Sequence, residues 1–121
     1  MGVALNTRTA PTKRTLALLA AQGYLADVAE RRQGPITIDL FGCMDIVAVH
    51  PTRREILFVQ VTSRSHRASR VSKVLASPHI RALLKSGALV QVWAWDTGSA
   101  EPSIVPIRLK QPAQGAKEPT V

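Results

Sequence analysis

Two polar side chains stand on a strand that is otherwise apolar. In "EILFVQVT", residues 55–62, alternation across the pleat puts Ile56, Phe58, Gln60 and Thr62 on one face and Leu57, Val59 and Val61 on the other. Gln60 and Thr62 fall at the strand's end, where a site can open to solvent. The preceding "PTRR", 51–54, has turn composition. The apolar run before it is therefore expected to return as an antiparallel partner. Counting outward from the turn centre between 52 and 53, Asp45 falls opposite Gln60. A carboxylate beside a carboxamide oxygen is a pair of hard donors, suited to Mg²⁺ or Mn²⁺ rather than zinc. A cation held there can activate water and neutralise a phosphodiester. The same pair also suits a structural role, with Asp45 closing a strand end and Gln60 bonding a neighbouring backbone.

Past the strand come Arg64, Arg67, Arg70 and Lys73, every third residue, with no acidic residue between Thr62 and Ser86. At helical spacing they form a drifting stripe. Arginine forks bind phosphate oxygens in two-pronged fashion and give affinity and register without reading bases. His66, inside the stripe, fits a general base or a phosphate donor. The alternative is a solvated helix face. Arg31, Arg32, Arg53 and Arg54, in expected turns, would extend a phosphate-binding patch.

These residues need a scaffold. Thr12 to Gln22 predicts a helix with Leu16, Leu19 and Ala20 on one face, stopped at Gly23. Residues 24–30 predict a strand, 31–35 ("RRQGP") a basic turn, and 36–50 strand at both ends with a kink at Phe41-Gly42-Cys43. A helix over 65–76 would turn Val71, Val74 and Leu75 to one side. Ser77-Pro78 starts a second helix carrying Ile80, Leu83 and Leu84 and ending at Gly87. Residues 88–95 and 103–109 predict strands, the latter at a sheet edge because it contains Pro106. Helix between the 55–62 and 88–95 strands permits a parallel crossover. The expected fold class is α/β: a small mixed sheet flanked by helices, in one domain over 12–109, with a loose arm at 1–11 and a disordered tail at 110–121.

Composition agrees. The chain has 121 residues, 45% hydrophobic, enough for one core. Sixteen Lys and Arg against eight Asp and Glu give a net charge of +8, which points to a polyanionic partner. Aromatic residues make up 4%, too few for an obvious single-strand stacking platform, and Trp93 and Trp95 read as sheet packing. No apolar run approaches the roughly 20 residues of a membrane span, and "LALLAAQGYLA" reads as helix rather than leader. The single cysteine, Cys43, excludes an internal disulfide framework and reads as a small buried residue in a reducing cytoplasm.

The stretch "DLFGCMDIVAVHPTRREILFVQVTS" resembles the core of the PD-(D/E)XK nuclease superfamily. It is similar in particular to small phage-type and prophage-type members and to the Holliday-junction resolvase branch, with Thr12 to Trp95 covered. The resemblance implies a restriction-endonuclease-like core, in a bacterial or phage-infected cell. It implies an Mg²⁺- or Mn²⁺-dependent endodeoxyribonuclease acting on DNA, on branched DNA in the resolvase case, with a homodimer suited to two symmetric cuts. Asp45 matches the motif's Asp, with Met44 where Pro is usual. Gln60 matches the acidic or Gln position, and Val61 would offer its backbone carbonyl to the metal. Thr62 stands where the family has Lys, so a cation from elsewhere, Lys73, Arg70 or Arg64, would substitute. The family's first-helix Glu is missing here, which leaves Glu30 or Asp27 for that place and Asp39 as a further carboxylate. The other reading is a nuclease fold that binds DNA or a protein without cutting. A basic RNA-binding or ribosome-associated protein fits the charge but leaves Asp45 and Gln60 unused.

Overall fold

In the computed structural model, residues 10–109 are described. They form α1 (Ala10–Ala21), β1 (Leu25–Val28), β2 (Arg31–Gln33), β3 (Ile36–Ile38), β4 (Ile46–Val49) and β5 (Leu57–Ser63). After a 3₁₀ turn (Arg64–His66) come α2 (Arg67–Leu75), α3 (Pro78–Lys85), β6 (Leu89–Trp95) and β7 (Ser103–Pro106). Five strands make one sheet in the order β1-β4-β5-β6-β7. Only β5 and β6 run parallel, joined by the α2–α3 crossover, and the other neighbours are antiparallel. β2 and β3 form a separate hairpin.

Strand alternation divides the core in two. Odd-numbered β5 and β6 positions (Leu57, Val59, Trp93, Trp95) meet Leu19 of α1 on one face. Even-numbered positions (Phe58, Val90, Val92) meet Val74 of α2 and Ile80 of α3 on the other. Trp93 and Trp95 are 2% and 4% exposed, so each contributes on the order of 2–3 kcal/mol of apolar burial. They pack the sheet, as their alternation suggested. Cys43 is buried too.

Several boundaries differ from expectation. α1 begins at Ala10, inside the expected arm, while 1–9 and the tail at 110–121 lie outside the described residues. The buried polar member of α1 is Thr15, and Ala20 is exposed. Thr15 Oγ1 accepts from Trp95 Nε1 at 2.7 Å and donates to the Pro11 carbonyl at 2.8 Å, so a hydroxyl is at home in the core. The expected basic turn is half strand: Arg31 and Arg32 pair with Ile38 and Thr37 around a Gly34-Pro35 turn. This hairpin shows no alternating pattern because it stands outside the main sheet, with five of its six strand residues exposed. Leu75 is 54% exposed, one residue beyond the buried Val74. Ser77 caps α3 as expected, accepting from the His79 N–H at 3.2 Å. No helix among the described residues is long and apolar enough to cross a membrane.

Candidate metal and nucleic-acid site

The β4–β5 register is the one counted from the turn: Ile46 faces Val59 and Val47 faces Phe58. Asp45 therefore enters the sheet just ahead of β4, its N–H donating to the Val59 carbonyl at 2.9 Å. Its Oδ2 accepts from Gln60 Nε2 at 2.6 Å and from the Val61 N–H at 2.8 Å. A residue's N–H and C=O leave a strand on the same side. The Val61 carbonyl thus also points past the start of β4, where Gln60 Nε2 approaches it at 3.4 Å.

Two further carboxylates converge here. The Ala29 N–H donates to the Asp45 carbonyl at 2.7 Å, which lays the end of β1, and so Glu30, alongside Asp45. A tight turn closed by Cys43 N–H to Leu40 O at 3.2 Å and Met44 N–H to Leu40 O at 2.8 Å folds Asp39 back. Carboxylate oxygens of Glu30, Asp39 and Asp45 all lie within 4.8 Å of one another. Burial, reinforced by the charge of Asp39 and a hydrogen bond with it, pushes Asp45 up to about 7, against the pull of the Val61 N–H and the Gln60 amide. Asp27, exposed on β1, accepts from the Val28 N–H through Oδ1 and is not among the clustered carboxylates.

Gln60 is 2% exposed, and its Oε1 has no hydrogen-bond partner among the described residues. A buried carbonyl oxygen without a donor costs about 1–3 kcal/mol. Toward Asp45 the amide presents Nε2 rather than Oε1. The three clustered carboxylates fit a hard cation such as Mg²⁺ or Mn²⁺, and the Gln60 amide, turned over, would present Oε1 to it. Glu30, Asp39, Asp45, Gln60 and the Val61 carbonyl are the groups that would hold it.

Thr62 is buried on the same strand face, one pleat beyond Gln60. Lys73 lies on α2: burial raises the Cys43 thiol, Lys73 pulls it back, and Asp39 and Asp45 raise it further. The lysine charge and the acids are thus both felt at the buried Cys43 sulfur. The rest of the basic row is partly engaged within the fold. Arg64 Nη1 lies 4.0 Å from Asp96 Oδ2, and Arg67 Nη1 donates to Ser103 Oγ at 2.6 Å. His66 Nδ1 lies 2.9 Å from Ser63 Oγ. Arg70 is half-buried and Lys73 exposed. Arg53 and Arg54 do not extend this patch, because they sit at the other end of β5, roughly 20 Å away along the strand. Sequence reading did not foresee how Asp39 and Phe41 are placed. Gly42 marked the kink, but the geometry of the turn decides what it brings together.

No protein-family model matches the sequence, and no curated protein matches it. Among solved structures, the chain is similar to Hjc, a Holliday junction resolvase from the archaeal hyperthermophile Archaeoglobus fulgidus, at 22% identity and a TM-score of 0.52. The likeness covers 78% of this chain and 73% of that one. The mixed five-stranded sheet with helices on both faces is thus the restriction-endonuclease-like fold that the 39–63 stretch led one to expect.

Proposed function

We propose that this chain is a divalent-metal-dependent DNA endonuclease of the PD-(D/E)XK type that acts on branched DNA. The observation that carries the reading is the convergence of the Glu30, Asp39 and Asp45 carboxylates, with the buried Gln60 amide bonded to Asp45. When bound, Mg²⁺ or Mn²⁺ supplies Lewis-acid polarisation of a phosphoryl oxygen and raises the acidity of water. The chain's own residues do the rest. Gln60 Nε2 and the Val61 N–H fix the Asp45 carboxylate by Oδ2, so the cluster is preorganised. Lys73 brings positive charge from the α2 side, in place of the lysine that Thr62 replaces. The Thr62 hydroxyl can orient water, and Arg64, His66, Arg67 and Arg70 offer contacts to flanking phosphates. A two-fold dimer would present two such sites to a symmetric junction, in line with the fold likeness to a resolvase.

The test is cleavage of labelled duplex, single-stranded, flap and four-way-junction DNA in Mg²⁺, in Mn²⁺ and in EDTA. The expected outcome is metal-dependent cutting of branched DNA that falls at least about a hundredfold in Asp45→Ala, the loss of several kcal/mol of transition-state stabilisation. Thr62 favours a second reading, a nuclease fold that binds DNA without cutting, because a hydroxyl brings no charge to the phosphate. Salt-sensitive binding across the panel with no cutting under either metal would select it.

A further inference from the structure

Phe41 is the one non-glycine residue among those described with a positive φ, at 56°, and Gly42 follows at 79°. With Cys43 N–H bonded to Leu40 O, the pair occupies the two central positions of a tight turn of type I′ character, where Asn-Gly is the usual choice. A bulky side chain is disfavoured there, because its Cβ crowds the neighbouring carbonyl oxygen. The ring packs edge-on to Phe58 (6.2 Å between centroids) and stacks on the His79 imidazole (5.6 Å, 24°), yet it remains 39% exposed. Strain is therefore retained to hold an aromatic ring at the surface. The other aromatic residues are spoken for: Phe58, Trp93 and Trp95 are buried, and Tyr24 packs against His50.

Phe41 lines an open cavity of about 570 Å³ together with Arg31, Asp39, Gly42 and His79. That volume is in the range of small-molecule sites and accommodates one nucleotide. Asp39 belongs to both the cavity wall and the acidic cluster. Gly42 adds no side chain to the wall, and Arg31 supplies a cation for a phosphate or a base edge.

We infer that this cavity takes one unstacked nucleobase of the DNA, with the Phe41–His79 pair as its stacking surface. The inference rests on the nuclease reading in that the cavity and the acidic cluster share Asp39. A base lodged on Phe41 holds its own backbone against the carboxylates. Branch points and mismatches supply such a base readily, because it is already partly unstacked there, whereas an intact duplex must be opened first. The cavity thereby gives the site a preference for distorted DNA that backbone contacts alone cannot give.

The test uses four-way junctions and matched duplexes carrying 2-aminopurine at successive positions around the branch point, bound in EDTA so that nothing is cut. With the wild type, emission rises at one position on binding, as the probe leaves the DNA stack. Phe41→Asn, a residue this turn accepts, keeps the circular dichroism and melting curve of a folded protein. It loses the emission rise and weakens junction binding about 5- to 100-fold, while duplex binding is unchanged. Phe41→Tyr retains both. No emission change at any position with the wild type, or an identical change with Phe41→Asn, overturns the proposal. The cleavage panel separates the two claims. Metal-dependent cutting with no Phe41-dependent emission leaves the nuclease standing and removes the base pocket. Phe41-dependent emission without cutting does the reverse.

Discussion

Asp45 carries the clearest pH signature. Its folded-state value of about 7 lies above the ordinary 3.8, so between those values the metal-free folded protein binds a proton that the unfolded chain has released. Stability from this group is full below about pH 4, declines as pH rises through 7, and is flat above. The span is on the order of 2 kcal/mol, allowing for water that reaches a half-buried carboxyl. Urea melts in EDTA at about pH 5 and about pH 8 should show this loss in the wild type and much less of it in Asp45→Asn; equal pH dependence in the two would contradict the assignment. The Asp45–Gln60 pairing was legible in the sequence because a strand has a period of two and a short turn fixes the register. The approach of Asp39 was not, because it depends on two successive left-handed residues, and Phe41 carries no local signal for that conformation.

Among the elements, α1 and α2 do different jobs. α1 is tied to β6 through Thr15 and Trp95, with the Arg14 guanidinium 4.2 Å from the Trp95 ring centroid and bonded to the Ser99 carbonyl. Thr15→Val keeps the shape and strands the indole N–H. It should cost about 1–3 kcal/mol in a denaturant melt and leave metal-dependent cutting of DNA at wild-type rates below the transition. α2 faces the nucleic acid in this account. Arg70→Ala should lower the slope of log K against log[salt] by about one, and Arg54→Ala, at the far end of β5, should leave it unchanged. Equal effects of the two would mean that the row is only part of a diffuse positive surface. The crossover, the α3 cap and the proline edge strand could be read ahead because each has a local chemical marker. The β2–β3 hairpin could not, since "RRQGP" is as polar as a turn and its strands bury almost nothing.

At the scale of the whole molecule, the sheet collects its polar groups at one end. The parallel pair β5 and β6 ends there, α2 begins there, and the returns from β1 and β3 bring Glu30 and Asp39 to the same point. A chain of net charge +8 gathers three carboxylates at one point, a combination that draws in a polyanion and still holds a cation. Composition announced the first half of this. The second needed the topology, because Glu30 and Asp39 follow β1 and β3, Asp45 precedes β4 and Gln60 lies in β5, and composition does not say that these meet. The most direct check is the electron paramagnetic resonance signal of Mn²⁺ titrated with the protein at about pH 8, above the Asp45 titration. Loss of the free-ion signal at one equivalent per chain, abolished by Asp45→Asn and weakened by Gln60→Leu, is the predicted result. A free-ion signal that the wild type leaves unchanged, or that Asp45→Asn diminishes equally, would contradict a metal site at the end of β5.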